Sequence, residues 1–245
     1  MMERQTLTVI ANRQLSSGIH EMKLSGCSTE CRPGQFVNLE IDGCFLRRPI
    51  SVCNWEDEVL TLAYKVVGKG TAAMAAMQPG CSIDTLVSLG NGFNLDAPCT
   101  EALLVGGGIG LAPLYMLAKE LVRRGRKVTV VAGFRTAAEV FNEDAFAAAG
   151  AEMLIATEDG SKGVKGFVTD AIRESGVSYD YIYACGPMPM MKALCAATSA
   201  PGEMSLEERM GCGFGICMGC TCKTTVGPKR VCKDGPVFKR EEITW

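Results

Sequence analysis

Four cysteines in one glycine-rich stretch constrain this chain more than any other feature of its sequence. In Met210-Gly-Cys-Gly-Phe-Gly-Ile-Cys-Met-Gly-Cys-Thr-Cys222, four residues separate Cys212 from Cys217 and two separate Cys217 from Cys220, and Cys232 follows after eleven more. C-x4-C-x2-C with a later cysteine is the spacing of a plant-type [2Fe-2S] loop, whose thiolates reach two irons from backbone wrapped closely around inorganic sulfide. Gly211, Gly213, Gly215 and Gly219 suit such a wrap, because without a Cβ the chain can take positive φ and bring N–H groups towards sulfur. Zinc is the competing metal, but it normally takes two short cysteine pairs, and Cys220-Thr-Cys222 does not supply a second C-x2-C. Disulfides fit less well, since the chain carries 13 cysteines, an odd number, and the dense group is not part of a small secreted scaffold. Cys222 is a fifth candidate ligand. Cys232, the later cysteine of that spacing, is preferred.

The rest of the chain must account for what such a cluster would serve. Its 245 residues, 47% of them hydrophobic, allow two ordinary domains and a small appendage. A formal net charge of −2 gives no basic field for nucleic acid or an anionic membrane, so proteins and small molecules are the expected partners. The first residues, Met-Met-Glu-Arg-Gln-Thr, lack the basic-then-apolar pattern of a secretion signal, and no uninterrupted apolar run reaches membrane-spanning length. A cytoplasmic protein is expected, with Cys27, Cys31, Cys44, Cys53, Cys81, Cys99, Cys185 and Cys195 as reduced thiols.

Short β-type runs punctuated by Gly, Pro and Asn fill the first hundred residues: Leu7–Ile10, Phe36–Ile41, Leu60–Val67 and Ser82–Val87. Runs at this spacing predict an antiparallel barrel or sandwich, with a short helix over Ala72–Met77 ending before Pro79-Gly80. Arg48-Pro-Ile-Ser51 can serve an anionic ligand, the guanidinium pairing with a pyrophosphate and the hydroxyl meeting a ring edge, though any surface strand can carry Arg and Ser. Gly68-Lys-Gly-Thr71, ahead of the helix, is a second phosphate seat. His20 is the only histidine and stands outside any acid-base constellation, which removes Ser-His-Asp and Cys-His catalysis and leaves redox cofactors to carry the chemistry.

After Glu101 the period changes. Strands at Ala102–Val105, Lys127–Val131, Glu152–Ala156 and Tyr179–Ala184 alternate with helices at Leu111–Arg124, Thr136–Ala149, Phe167–Glu174 and Pro187–Ala197. This βαβ rhythm predicts a doubly wound parallel sheet with its ligand crevice at the carboxyl ends of the strands. Gly106-Gly-Gly-Ile-Gly110 occupies the phosphate position without being a G-x-G-x-x-G fingerprint, since residue 111 is Leu, so a packing role stays open for it. Gly133-Phe-Arg-Thr136, Thr157-Glu-Asp-Gly160 and Cys185-Gly-Pro187 reach the same edge, where Gly186 permits close approach of a ligand and Cys185 is suited to stack on a nicotinamide ring.

Taken together, Arg48-Pro-Ile-Ser51, Pro33-Gly-Gln-Phe36, Gly106–Pro113 and Cys185-Gly-Pro-Met188 resemble the ferredoxin-reductase-like flavoproteins. Ser205–Cys220 and Val231–Phe238 narrow the resemblance to the electron transfer subunits of class B, NAD-dependent dihydroorotate dehydrogenases, over nearly the whole chain. The resemblance implies a β-barrel FAD-binding domain (residues 1–97), an α/β NAD-binding domain (98–201) and a small C-terminal [2Fe-2S] domain (202–245). It implies that Arg48, Pro49, Ile50, Ser51, Lys65, Val66, Val67, Gly70 and Thr71 contact FAD. By the same resemblance Gly106, Gly107, Gly108, Gly110, Cys185, Gly186 and Pro187 face NAD, and Cys212, Cys217, Cys220 and Cys232 ligate iron. No side chain is required as a general acid or base. The implied partner is an FMN-containing dihydroorotate dehydrogenase catalytic subunit, in a heterotetramer of two copies of each, whose electrons pass through [2Fe-2S] and FAD to NAD+ in pyrimidine biosynthesis. Trp245 follows the cluster segment and is not assigned the flavin-stacking role of the aromatic that ends general ferredoxin reductases.

Two rivals have distinct signatures. A small subunit of an NADPH-linked sulfide dehydrogenase or a ferredoxin:NADP oxidoreductase would share these modules, and Arg135 is a residue able to meet a 2′-phosphate. A non-catalytic regulatory or assembly module would purify without flavin or iron.

Overall fold

The computed structural model describes residues 2–245. The chain opens with β1 (Glu3–Ser16), β2 (Ile19–Ser25), β3 (Phe36–Leu39), β4 (Arg48–Glu56) and β5 (Val59–Lys65), then α1 (Lys69–Ala76) and β6 (Ser82–Leu89). The six strands pair antiparallel in the order β1-β2-β5-β4-β3-β6, and β6 returns to β1, so the sheet closes into a barrel without a free edge. Alternation drives the closure: Ile83, Thr85, Val87 and Leu89 of β6 turn inward. Ile83 and Val87 meet Leu7, Val9, Met22, Leu24, Leu60 and Leu62, all fully buried, each contributing about 1.5–3 kcal/mol on removal from water, whereas Leu89 packs with Phe36 in the cluster shared with the parallel sheet. β1 is far longer than the Leu7–Ile10 run, because its first half pairs with β6 and its second with β2. Polar side chains along it face outward, which hides the strand from a hydrophobicity reading.

Helix α1 starts at Lys69, earlier than Ala72, because Thr71 Oγ1 accepts the N–H groups of Val67 (2.9 Å) and Gly68 (3.2 Å). Its other end is held by Asn12, whose amide donates to the carbonyls of Met74 (2.9 Å) and Met77 (3.0 Å) while Tyr64 donates to its Oδ1 (3.0 Å). The carbonyls that the C-terminus of the helix leaves unpaired are thus partly met by the barrel, while the N-terminal turn is closed by the helix's own Thr71. His20 stacks on Tyr64, with ring centroids 5.8 Å apart.

The second unit comprises β7 (Glu101–Gly107), α2 (Leu114–Arg123), β8 (Lys127–Phe134), α3 (Glu143–Ala148), β9 (Glu152–Thr157), β10 (Val164–Lys165), α4 (Val168–Ser175), β11 (Tyr181–Cys185) and α5 (Met188–Ala197). Strands β10-β9-β8-β7-β11 run parallel. Both faces of the sheet are covered, as the uniformly buried β11 requires. Ala102 and Leu104 of β7 face Leu114, Leu117, Leu121 and Phe146 on one side, and Leu103 and Val105 face Val168, Ala171, Met191 and Leu194 on the other.

Two expected helices are shorter than their sequence runs. The run from Leu111 becomes helical only at Leu114, because Gly108–Leu111 forms a 3-10 turn and Pro113, which has no N–H to give, sits at the helix start. The run from Thr136 to Ala149 splits into a 3-10 turn at Ala137–Glu139 and α3, because Val140 is extended and Asn142 takes φ 58°, letting Phe141 pack edge-on against Phe134.

The remainder of the chain is threaded through the same sheet. β12 (Gly202–Ser205) joins β11 in parallel, the hairpin β13 (Thr221–Thr224) and β14 (Gly227–Arg230) and helix α6 (Val231–Asp234) follow, and β15 (Val237–Lys239) returns antiparallel to β12. The cysteine loop is therefore an insertion between two neighbouring strands. A single residue at the barrel exit fixes that return: Asn91 Nδ2 donates to Val237 O (2.7 Å), Asn91 Oδ1 accepts from Val237 N–H (3.0 Å), and Asn91 N–H donates to Gly235 O (2.7 Å). Asn91→Ala leaves both main-chain groups of Val237 without these partners, at a cost of about 1–3 kcal/mol. Hydrogen exchange should then rise at 237–239 while the barrel strands stay protected; wild-type exchange there would show the clamp to be dispensable.

Candidate functional site

The cysteine loop runs from Met210 to Cys220 without regular structure and turns at Gly213 (φ 79°), Gly215 (φ 92°) and Met218 (φ 61°). Cys212 N–H points at Cys217 Sγ (3.4 Å), Cys217 N–H at Cys212 Sγ (3.5 Å), and Cys232 N–H at Cys220 Sγ (3.4 Å). The thiols thus come as two pairs. Among the described residues no three Cys, His, Asp or Glu side chains gather to hold one metal ion. Two pairs suit two irons, each taking two thiolates, and do not suit one tetrahedral zinc. Cys220 and Cys232 are buried, Cys212 is half-buried and Cys217 exposed. Burial works against ionising Cys212, but N–H donors at Cys217, Phe214 and Ile216 and the Cys217 thiol outweigh it and bring Cys212 down to about 6. Burial and the adjacent Cys220 thiol push Cys232 up to about 12, so a metal there must displace its proton. Cys222 stands on β13 opposite Lys229, partly packed into the core, and its thiol is pushed up by burial.

Protein contacts brace this loop from both sides. Arg230 grips Asp234 through Nε (3.0 Å) and Nη2 (3.1 Å) and donates from Nη1 to Gly215 O (2.9 Å). A Cβ on Gly215 would come within 2.8 Å of Lys233 Cβ. From the barrel, Asn38 on β3 donates to Cys212 O (3.2 Å) and packs where a Cβ on Gly213 would lie, while its own Oδ1 is buried without a partner. Asn38 pairs in register with Pro49, so one residue links the Arg48–Ser51 strand to the cysteine loop.

On that strand two neighbouring arginines do different work. Arg47 is tied to Asp84 (2.6 Å) and Glu40 (2.5 Å), whereas Arg48, among the described residues, pairs with no carboxylate. Arg48 donates instead to the carbonyl of Leu46 (2.6 Å) and lies across Gly70, where a Cβ would approach its Cζ to 2.8 Å. Arg48, Pro49, Ile50 and Ser51 are all half-exposed, beside the half-exposed Val66, the exposed Val67 and the start of α1. An unneutralised guanidinium over a helix N-terminus fits the pyrophosphate of a flavin dinucleotide. Thr71, beside Gly70, contributes its hydroxyl to the helix cap.

A cavity of about 720 Å3 opens between barrel and sheet at the carboxyl ends of β7, β8, β9 and β11. Gly107, Gly108, Gly110, Gly186, Pro187 and Lys65 line it, whereas Gly106 and Cys185 form the layer beneath. The glycines also fit each other: a Cβ on Gly110 would meet Gly186 Cα at 2.8 Å, and one on Gly186 would meet Gly107 N at 2.9 Å. Cys185 is 1% exposed and its thiol is pushed far up by burial, so it is a neutral wall element. Glu139, Glu158, Phe167, Val168, Met190 and Glu207 also line the cavity. Of these only Glu158 lies in a loop that sequence pointed to; the others reach the cavity through the fold. Glu207 is exposed by surface area yet surrounded closely enough that desolvation pushes its carboxyl up, and it carries no ion pair among the described residues.

A closed antiparallel barrel joined to a parallel α/β sheet, with a glycine-lined crevice between them and a four-thiol loop behind, defines an oxidoreductase of the ferredoxin-reductase-like class. A profile for the oxidoreductase NAD-binding domain matches residues 104–196, and one for the iron-sulfur cluster binding domain of dihydroorotate dehydrogenase B matches residues 207–244. The electron transfer subunit of dihydroorotate dehydrogenase B (NAD(+)) from Geobacillus sp. (strain WCH70) is 48% identical over 258 residues, covering 99% of both chains. That from Fusobacterium nucleatum is 44% identical over 257 residues with the same coverage. Among solved structures, the NADH-dependent reduced ferredoxin-NADP oxidoreductase superposes with a TM-score of 0.89 at 32% identity, covering 98% of this chain and 90% of that one. The chain belongs to the family of electron transfer subunits of NAD-dependent dihydroorotate dehydrogenase B.

Serine substitution separates the five cysteines. Cys212→Ser, Cys217→Ser, Cys220→Ser and Cys232→Ser should each lose iron, sulfide and the reduced-cluster EPR signal, while Cys222→Ser keeps them; a signal that survives Cys232→Ser and vanishes in Cys222→Ser would reverse the ligand set. Arg48→Ala should weaken FAD retention about 10- to 100-fold, the worth of one charge-assisted contact, read by flavin released on dilution. Undiminished retention would place the pyrophosphate elsewhere.

Proposed function

We propose that this chain carries reducing equivalents from an FMN-containing dihydroorotate dehydrogenase catalytic subunit to NAD+, in a cytoplasmic heterotetramer with two copies of each subunit. The observation that carries the reading is the adjacency of three sites: the paired thiols, the Arg48–Ser51 strand and the glycine-lined cavity, with Asn38 touching the first two and Lys65 at the barrel wall of the third. A flavin exchanges single electrons with an iron-sulfur cluster and a hydride with a nicotinamide, which is the conversion such an arrangement requires.

The chain's own residues supply position rather than proton transfer. Cys212, Cys217, Cys220 and Cys232 would hold the cluster, with main-chain N–H groups already directed at the sulfurs of Cys212, Cys217 and Cys220. Arg48 would hold the flavin pyrophosphate, with Pro49, Ile50, Ser51, Val66, Val67 and Gly70 shaping the seat. Gly107, Gly108 and Gly110 would let the nucleotide phosphates approach the main chain, and Gly186 and Pro187 would bound the nicotinamide end. Residues 1–97, 98–201 and 202–245 serve FAD, NAD and cluster respectively, the last threaded into the sheet of the second. Among the described residues no helix is long and apolar enough to cross a membrane, which is compatible with a cytoplasmic site.

A second reading, a small subunit of a ferredoxin:NADP oxidoreductase, is favoured by the solved structure at 32% identity, but that figure falls below the 48% of the dihydroorotate dehydrogenase relative. Purification from the source cell, with mass spectrometry of the partner and assay of dihydroorotate:NAD+ turnover, decides between them. An FMN-bearing dihydroorotate dehydrogenase subunit should co-purify at equal molar ratio, and turnover should require both chains. Tight NADP+ binding with no dihydroorotate-dependent turnover would favour the rival.

A further inference from the structure

At the carboxyl end of β8, where a doubly wound sheet meets the adenosine ribose of its nucleotide, this chain carries Arg135. An arginine there accommodates a 2′-phosphate, and an acidic residue hydrogen-bonds the 2′-hydroxyl of NAD. Residue type alone therefore points to NADP, against the NAD-dependent family. The side chains around Arg135 resolve the conflict. Glu139 Oε1 accepts from Arg135 Nη2 (2.6 Å) and Nε (3.2 Å), and its Oε2 faces Arg135 N–H (3.4 Å). The same carboxylate reaches Lys65 Nζ of the barrel at 3.4 Å. Only 13% of the Glu139 side chain is exposed, against 68% for Arg135. Glu158, at the end of β9, adds a second carboxylate to the same wall of the cavity and, among the described residues, is paired with no cation.

The main chain fixes Glu139 in that position. It closes the Ala137–Glu139 turn, which docks on the barrel through Ser17 N–H donating to Ala138 O (3.0 Å) and Ser16 Oγ donating to Glu139 O (3.1 Å). Two cations and two carboxylates thus share one end of the cavity, and the arginine that would greet a dianionic phosphate is already occupied.

We propose that Glu139 sets the choice of nucleotide: by holding Arg135 against the turn, with Glu158 beside it, it makes this end of the cavity a seat for the uncharged ribose diol of NAD and closed to the 2′-phosphate of NADP. This rests on the reading of the cavity as the NAD site. An incoming 2′-phosphate must either displace Glu139 from two cations or share an already neutralised Arg135 beside two carboxylates, whereas a 2′-hydroxyl can donate to a carboxylate already present.

The test is calorimetric titration of NAD+ and of NADP+ into the holoprotein, purified with flavin and cluster, with their absorbance as the check on folding. Wild-type protein should bind NAD+ and bind NADP+ weakly. Glu139→Gln should tighten NADP+ about 10- to 100-fold, the worth of a released charge-assisted contact, and so move the ratio of the two affinities towards NADP+. In Glu139→Gln with Arg135→Ala that gain should vanish. Glu158→Gln, which disturbs no ion pair and tests the same end if Glu139→Gln does not fold, should tighten NADP+ by a smaller factor. An unchanged ratio of the two affinities in both single variants, or a gain that persists without Arg135, overturns the proposal while NAD+ binding upholds the cavity. Failure of wild-type protein to bind either nucleotide would instead overturn the reading of the cavity.

Discussion

The return of β15 to β12, clamped by Asn91, is the interaction on which the other parts depend. A barrel and a parallel sheet are each self-sufficient, but the cysteine loop has little apolar surface of its own and could not hold a shape alone. Docked between β12 and β15, it inherits the rigidity of a sheet whose strands are buried on both faces. Asn91 couples the same strand to the barrel exit, and nearby Tyr183 donates to Asn94 O (2.9 Å) while Asn94 N–H donates to the buried Glu203 (2.8 Å). Three sequence segments are thus locked into a single frame by hydrogen bonds that replace main-chain pairing at their junction.

That frame explains how the sites can cooperate without a catalytic side chain. Electron and hydride transfer demand short, fixed separations more than acid-base groups. Here the fixing elements are modest: an asparagine between the Arg48–Ser51 strand and the cysteine loop, a carboxylate between Lys65 and Arg135, and glycines whose missing Cβ atoms let two loops touch. Each works because its neighbours are held by the sheet or the barrel.

Much of this was legible in the sequence, for identifiable reasons. The cysteine spacing follows from local geometry, so the grouping of Cys212 with Cys217 survives folding as a local fact. The pairing of Cys220 with Cys232 depends on a hairpin and α6 bringing distant residues together, and no spacing rule states that. The βαβ alternation of apolar runs predicts the parallel sheet, whereas β12 and β15 are short strands with polar residues and have no readable period. Helix α3 is shorter than its sequence run because the run has good helical propensity while Phe141 gains more by burial beside Phe134. Glu139 and Glu207 carry no local signature at all: each becomes part of the cavity only when the barrel and the sheet meet. Arg135 shows the opposite failure, a residue whose type is informative and whose partner reverses the message.

The two feet of the cysteine insertion stand one hydrogen bond apart, with Leu206 N–H donating to Pro236 O at 2.9 Å. Bringing the ends of a flexible segment together costs entropy that grows with its length, and here that closure is already accomplished by the β12–β15 pair. Iron therefore has only to order the interior of a ring whose perimeter is closed. In biosynthetic terms the chain can complete its flavin and nucleotide units first and accept its cluster afterwards, as a late and local event.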